Sequence, residues 1–64
     1  MNYSNSQIKA LIDEYVHSAR DRRIMCSRLI DGLTFEAIAE LEDMSDKQIR
    51  RIVYKLQPEL FEHL

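Results

Sequence analysis

The sequence predicts an all-α fold of four short helices, with a further short turn at the C-terminal end. Apolar residues recur at intervals of three and four, as on one side of a helix, and a cap residue precedes each such stretch. The chain has only one glycine and one proline. With 45% hydrophobic residues in a length of 64, residues 1–64 are expected to form a single small domain, because disordered segments have low hydrophobicity.

The first two helices are predicted from their caps and apolar stripes. Ser4 and Gln7 have the spacing of a capping box, and an apolar stripe of about three turns follows. That stripe consists of Ile8, Leu11, Ile12, Tyr15 and Val16. Ser18 and Asp21 are predicted to form a third capping box at the start of the second helix. We expect that helix to continue through Ile30 and to end at Gly32, because glycine suits a left-handed C-cap.

The third and fourth helices have the spacing of a helix-turn-helix motif. The third is expected to run from its cap Thr34 through Leu41. The fourth begins after its cap Ser45, whose capping-box partner is Gln48. Residues 42–44 make a connection of the length that joins helices at a steep angle. Such a turn usually needs one residue with positive φ, and the aspartate in the middle of this connection tolerates that conformation better than most residues.

The fourth helix has two opposite faces. Its apolar stripe is predicted to face the core and consists of Ile49, Ile52, Val53 and Leu56. Residues with the same spacing, displaced by two positions, lie on nearly the opposite side: Lys47, Arg50, Arg51 and Tyr54. The sequence therefore predicts a cationic surface on a helix whose other side is buried.

The C-terminal segment is predicted to form a separate turn over residues 58–64. The residue before Pro58 is biased away from the helical conformation, although proline also starts helices well. Three apolar residues in this segment need cover, namely Leu60, Phe61 and Leu64. They either fold back on the first helix or contact a second subunit of a homodimer, and the sequence leaves both options open.

The run DRRIMCSRLIDGLTFEAIAELEDMSDKQIRRIVYKL, residues 21–56, resembles the region-4 helix-turn-helix domain of sigma-70-type factors, and more closely the small region-4-like regulators of phages and prophages. The matching positions are Ile24 and Met25, Arg28 before Leu29, the hinge Asp31-Gly32-Leu33-Thr34, Ile38-Ala39-Glu40, Ser45, and Ile49-Arg50-Arg51-Ile52. Three positions depart from the family. Asp43 replaces a turn glycine, Glu42 stands where a large apolar residue is expected, and Asp46 occupies a position that is often basic.

This resemblance implies a DNA-binding accessory regulator of transcription, encoded by a phage or prophage and acting in the cytoplasm of a bacterial or phage-infected cell. A complete sigma factor also needs a separate domain for the −10 element, and a chain of 64 residues is expected to have no room for one. The resemblance implies double-stranded DNA as the partner. RNA polymerase is a further expected partner, because region-4-like domains are similar to modules that bind polymerase.

The distribution of charge along the chain is uneven, although the net charge is −2. Residues 20–28 carry four arginines against one aspartate, and residues 45–56 carry four bases against one aspartate, so each segment is net +3. Residues 31–43 carry five acids and no base. Because local potential governs binding within a Debye length of about 8 Å, an acidic chain can present a basic edge. Weak binding to non-specific DNA is expected.

The second helix of a helix-turn-helix motif, here the fourth helix of the chain, places its N-terminal residues against base edges in the major groove. The residues expected to contact DNA from it are Ser45, Lys47, Gln48, Arg50, Arg51, Tyr54 and Lys55. Arginine suits guanine or phosphate and glutamine suits adenine, whereas Asp46 repels phosphate but can accept from a cytosine amino group. The alternative is an ordinary solvated helix face, since such faces are usually charged.

Three arginines at the start of the second helix are candidates for clamping the flanking phosphates, with a solubilising helix terminus as the alternative: Arg20, Arg22 and Arg23. Arg28 is expected instead to form a structural ion pair with Glu36 or Glu40.

No catalytic or metal-binding pattern is found, so we expect no enzyme, no cofactor and no small-molecule substrate. His17, His63 and Cys26 do not have the spacing of metal ligands. Cys26 is expected to be a small buried hydrophobe, and a lone cysteine fits the reducing cytoplasm. No apolar run approaches the roughly 20 residues that span a bilayer.

Two functions from another class stay open beside DNA binding. One is a protein-interaction module that docks on RNA polymerase or another regulator through the apolar C-terminus and the acidic segment. The other is an inhibitor of a host nucleic-acid machine, which would use the same surfaces.

Overall fold

A computed structural model describes residues 3–64, and within that range it contains four α-helices and no strand. The helices are α1 (Asn5–Tyr15), α2 (Ala19–Leu29), α3 (Phe35–Glu42) and α4 (Asp46–Phe61). The predicted all-α fold is confirmed. None of these four helices combines the length and the apolar composition needed to cross a bilayer.

Side-chain caps fix the start of every helix where the sequence predicts it. Ser4 Oγ accepts from Gln7 N at 3.2 Å, and Ser45 Oγ accepts from Gln48 N at 3.1 Å. At both sites the glutamine side chain accepts from the cap's own N–H, so both capping boxes are complete. Thr34 Oγ1 caps α3 by accepting from a backbone N–H at 3.1 Å. Ser18 Oγ caps α2 by accepting from Asp21 N at 3.3 Å, but the reciprocal bond of the predicted capping box is not formed. Each cap satisfies N–H groups that a helix leaves unpaired.

The α4 helix continues through Pro58 to Phe61, so the predicted separate C-terminal turn is wrong. Proline costs roughly 3 kcal/mol inside a helix, because it lacks an N–H and its ring crowds the carbonyl four residues earlier. Here that carbonyl belongs to the exposed Tyr54, where water can satisfy it. Leu60 follows Pro58 by two residues, on the buried side of α4, and is only 2% exposed. The burial of Leu60 offsets part of the free-energy cost of the proline.

One hydrophobic core joins all four helices. Its buried residues are Ile12, Val16, Ile24, Met25, Ile38, Ala39, Ile49, Val53 and Leu60. α4 packs against each of the other three helices, and no buried residue of the core is polar among residues 3–64. The C-terminal end of α4 also returns to α1, where the rings of Tyr15 and His63 stack with centroids 3.7 Å apart. Of the two options left open for the C-terminal apolar residues, burial within the monomer applies to Leu60, which lines a small cavity with Tyr15 and Val16 at the end of α1.

The turn between α3 and α4 consists of three residues, 43 to 45. Asp43 ends α3 in the left-handed conformation, with φ 54° and ψ 48°, as the sequence predicts. The N–H of Met44 then donates to the carbonyl of Ala39 at 2.9 Å, which closes the helix end. This geometry is compatible with a helix-turn-helix.

Glu42, at the end of α3, pairs with α2. Arg23 Nη2 lies 2.8 Å from Glu42 Oε1, and Arg23 Nε donates to Glu42 Oε2 at 3.1 Å. The Glu42 side chain is only 11% exposed, and these hydrogen bonds lower its pKa below the ordinary value. A two-point ion pair thus joins α2 to the end of α3.

The left-handed turn residue gives a first prediction. Asp43→Gly should raise the free energy of unfolding by about 0.5–1 kcal/mol, because glycine adopts positive φ without the cost paid by other residues. Asp43→Asn is the matched control that removes the charge and keeps the side-chain shape. Gly32 has φ +69° with open space around it, so Gly32→Ala should lower stability by about 1 kcal/mol through backbone strain alone. Urea unfolding measures all three, and a loss of stability in Asp43→Gly would contradict the assigned conformation.

The burial of Leu60 gives a second prediction. Leu60→Ala should destabilise the monomer by about 2–5 kcal/mol, the range for buried leucines. Phe61→Ala, at a side chain 42% exposed, should cost under about 1 kcal/mol. If Leu60→Ala leaves the chain unfolded, Leu60→Val is the milder variant for the same urea titration. Equal losses at both positions would be inconsistent with a helix that continues through Pro58.

Candidate nucleic-acid interface

The outward side of α4 is a cationic face, defined by Lys47, Arg51, Tyr54 and Lys55. All four residues are exposed, whereas Ile49 and Val53 on the other side of the helix are fully buried. Among residues 3–64, Lys47, Arg51 and Lys55 form no ion pair within 4.0 Å. These three positive charges are therefore available to an external anion, whereas Arg50, which the sequence places on the same face, is paired within the protein.

Arg50 is also exposed, but the protein holds its guanidinium in place. Its Nε lies 3.2 Å from Asp46 Oδ2, and its Nη2 lies 3.9 Å from Glu36 Oε1. Asp46 is the main cause of the raised pKa of Arg50. The guanidinium thus stays charged and is oriented by two carboxylates, and part of its charge is neutralised before any ligand arrives.

Asp46 does not offer a free carboxylate to a base. One oxygen is paired with Arg50, and Oδ1 is buried without a hydrogen-bond partner in residues 3–64. The predicted option of accepting from a cytosine amino group is therefore not supported by the position of Asp46. Its role in this geometry is to orient Arg50.

Phe35 forms a cluster that sequence analysis missed. The Cζ atom of Arg28 lies 4.2 Å from the centroid of the Phe35 ring, and the Cζ of Arg50 lies 5.0 Å from it. Tyr54 meets the same ring edge-on at 5.7 Å. The aromatic ring therefore fixes the beginning of α3 against α2 and α4 through cation–π and edge-to-face contacts.

Arg28 does not form the ion pair that was expected of it. Instead of reaching Glu36 or Glu40, its Nη1 donates to the carbonyl of Leu33 at 2.9 Å. A half-buried guanidinium over an aromatic ring gains from this geometry because the carbonyl can accept one of its five N–H groups. No local signal in the sequence pointed to this contact, because Phe35 lies seven positions after Arg28 and meets it only in the packed structure.

The three arginines at the start of α2 are each engaged inside the protein. Arg20 pairs with Asp21 at 3.2 Å, and Arg22 Nε donates to the Val16 carbonyl at the end of α1. Arg23 holds Glu42. These contacts favour structural roles over the predicted phosphate clamp. Arg20 and Arg23 nevertheless keep side chains that are 51% and 60% exposed.

Ser45 and Gln48 lie at the exposed start of α4, and both are used in its capping box. The Ser45 N–H donates to Gln48 Oε1 at 2.9 Å, so the amide oxygen is occupied. The Gln48 amino group and the Ser45 hydroxyl hydrogen remain as donors. This arrangement suits phosphate or carbonyl acceptors better than the paired donor and acceptor that adenine requires.

The three residues predicted for a dimer contact differ in exposure: Leu60, Phe61 and Leu64. Leu60 lies in the monomer core, so its assignment to an exposed contact is wrong. Phe61 and Leu64 remain 42% and 44% exposed. Because α4 continues as a helix through this segment, Leu60 faces inward and Phe61 faces outward.

Cys26 packs against the core but is only half-buried, whereas the sequence predicted a buried side chain. Burial is the main cause of its raised pKa, which disfavours the reactive thiolate. Within residues 3–64 no group of three or more histidine, cysteine, aspartate or glutamate side chains is placed to hold a metal ion.

Comparison of the chain with family models, with curated proteins and with solved structures finds no match in any of the three.

Proposed function

We propose that this protein binds double-stranded DNA sequence-specifically, as an accessory regulator of transcription encoded by a phage or prophage. The observation that carries the proposal is the cationic face of α4, whose three charges are unpaired within residues 3–64 and lie opposite a buried stripe. A helix held in this way by its neighbours can enter a major groove, which is wide enough for one α-helix. The proposed place of action is the cytoplasm of a bacterial or phage-infected cell.

The residues of α4 divide into two roles under this proposal. Lys47, Arg51 and Lys55 supply free charge and contact phosphates, which fix the position and orientation of the helix. Arg50 reads a base, because its guanidinium is already oriented by Asp46 and Glu36. A guanidinium that is already oriented loses less conformational entropy than a mobile one when it makes two hydrogen bonds to guanine.

The acidic α3 sets a limit on non-specific binding. Glu36 lies beside the reading arginine, with its side chain 71% exposed. A phosphate that approaches Arg50 from this side also meets a carboxylate, so the electrostatic attraction along the edge is reduced. Tight binding is then expected only where base contacts add to the phosphate contacts.

A second copy of the chain is the proposed partner on DNA. A single module of this kind covers about 600–1,000 Å² of protein surface, which is small for specific binding. Two copies would read half-sites about 34 Å apart. Phe61 and Leu64 are the exposed apolar residues proposed for the contact between copies.

The free charges give the test of the proposed function. A preferred duplex is first selected from random sequences, and its affinity is measured over a series of salt concentrations. The log of the binding constant should fall linearly with log salt, and Lys47→Gln with Arg51→Gln should reduce the slope by about 1.8, since each phosphate contact contributes about 0.9.

Lys9→Gln is the matched control for that variant. Lys9 is a surface base on α1 that already pairs with Asp13 at 2.8 Å, so its removal should leave the slope unchanged. Selection without any enriched sequence, or an unchanged slope in the double variant, would refute DNA binding by this face.

Arg50→Lys tests the division of roles. Lysine keeps the positive charge but lacks the planar fork, so affinity for the selected duplex should fall by about 1–3 kcal/mol while affinity for random duplexes stays the same. The measurement is the ratio of the two dissociation constants. A parallel loss on both duplexes would mean that Arg50 contacts phosphate only.

A further inference from the structure

Phe35, the first residue of α3, lies where α2, α3 and α4 meet beside the proposed reading arginine. Its ring is half-buried and packs against the hydrophobic core. The Cζ of Arg50 lies 5.0 Å from the ring centroid, and Tyr54, one turn further along α4, meets the ring edge-on. Both of these α4 residues are exposed. A side chain of α3 is therefore part of the surface that α4 presents.

The ring of Phe35 is itself held in place from α2. The Cζ of Arg28 lies 4.2 Å from its centroid, and Arg28 Nη1 donates to the Leu33 carbonyl at 2.9 Å. The cap of α3 directly precedes the ring, with Thr34 Oγ1 accepting from Ala37 N at 3.1 Å. The position of the ring thus follows from α2 and from the start of α3.

The carboxylates that contact Arg50 hold it weakly by themselves. Asp46 Oδ2 lies 3.2 Å from its Nε, and Glu36 Oε1 lies 3.9 Å from its Nη2. Exposed ion pairs of this kind contribute little and are screened by salt. Attraction by an aromatic face acts only on a cation placed over it, so it restricts direction in a way that a point charge does not. The Phe35 ring therefore limits the orientations of the guanidinium.

We propose that Phe35 is a positioning residue that sets the preference of Arg50 for guanine and does not itself contact the base. The inference rests on the proposed function and identifies α3 as a determinant of specificity outside the reading helix. Two hydrogen bonds to guanine need the planar fork aligned with O6 and N7, whereas a phosphate accepts a cation from many directions. Loss of the ring should therefore reduce discrimination between bases and leave contacts with phosphate unchanged.

A direct contact of Phe35 with a thymine methyl group is the competing role. The ring is half-buried, and three side chains already lie against it, namely Arg28, Arg50 and Tyr54. Little of its surface is left for a base, which favours the positioning role. The two roles predict a loss of preference at different bases.

The first measurement uses the full chain labelled with ¹⁵N, in the absence of DNA. The aromatic ring current should displace the Nε–H signal of Arg50, and its heteronuclear NOE should exceed that of Arg51. Arg51 is the internal reference, because it forms no ion pair within 4.0 Å in residues 3–64. Phe35→Leu should bring both values of Arg50 close to those of Arg51. Phe35→Tyr keeps the ring and should preserve them.

The second measurement compares dissociation constants on two duplexes. One is the selected duplex, and in the other an A·T pair replaces the G·C pair whose discrimination is lost in Arg50→Lys. Phe35→Leu should lower the ratio of the two constants by about fivefold, a part of the discrimination that a bidentate contact provides. Affinity for random duplexes and the salt slope should stay unchanged, because the free charges of α4 are untouched. Phe35→Tyr should keep the original ratio.

Leu11→Ala is the matched control for lost stability. Leu11 is a partly buried residue of α1 that packs against the same core, and α1 contributes no residue to the cationic face. The variant should unfold at a lower urea concentration, as Phe35→Leu should, yet keep the ratio of dissociation constants unchanged. Circular dichroism establishes that every variant is folded at the temperature of the binding measurements.

Three results would overturn this inference alone. The first is an Arg50 signal or a ratio of dissociation constants that does not change in Phe35→Leu. The second is a parallel loss of affinity on all duplexes, or an equal loss of the ratio in Phe35→Tyr, as expected of a merely structural role. The third is a loss of preference at a thymine, which would identify Phe35 as a base contact. Absence of DNA binding by the unaltered chain would instead refute the proposed function, and this inference with it.

Discussion

The burial of one side of α4 is the constraint on which the other features of this structure depend. Ile49, Val53 and Leu60 lie along that side over nearly the whole length of the helix, and the helix contacts α1, α2 and α3. A helix packed by three neighbours along one stripe has no freedom to rotate about its axis, because rotation would expose buried leucine and isoleucine at about 1.5–3 kcal/mol each. The outward position of Arg51 is therefore a consequence of the core. The same packing explains why α4 tolerates a proline that would end an isolated helix.

Ion pairs decide which of the surface charges remain available. The chain has nine bases, and the structure engages several of them in contacts between helices. Arg23 compensates Glu42 at a nearly buried position, and Arg22 closes the end of α1 through a carbonyl. On α4, the bases without a carboxylate partner in residues 3–64 are Lys47, Arg51 and Lys55, and they lie on one face. A net charge of −2 does not conflict with such a face, because paired charges contribute little to the potential a few ångströms away.

Local features were predictable from the sequence and long-range ones were not. Helix starts depend on a cap and the residue three positions later, so Ser4, Thr34 and Ser45 were identified without a structure. The positive φ of Asp43 was also a local property. The contacts of Arg23 with Glu42 span 19 positions in the chain. Such pairings depend on how helices pack, and periodicity within one helix does not contain that information.

The same distinction explains the two errors about the site. Pro58 gives a strong local signal to end a helix, yet the fate of Leu60 was decided by the space between α4 and α1, which only the packed structure defines. Arg28 shares a segment with several acids, and a charge count favoured an ion pair. Its neighbour in space was the Phe35 ring, which offers a cation–π contact at 4.2 Å. Residue counts indicated which segments of the sequence are acidic and which are basic. Only three-dimensional packing determined the partner of each charge.

Acidic and basic residues on adjacent helices give this small domain two surfaces of opposite chemistry. The turn at Asp43 joins them within three residues, so the acidic α3 and the cationic α4 are held as one unit. Arg50 lies where the two meet, between Asp46 and Glu36. A ligand that neutralises Glu36 would free part of the charge of Arg50, and a ligand on Arg50 would leave Glu36 less compensated. The two helices thus meet at one guanidinium held between two carboxylates, so the charges of both surfaces are partly compensated at their border.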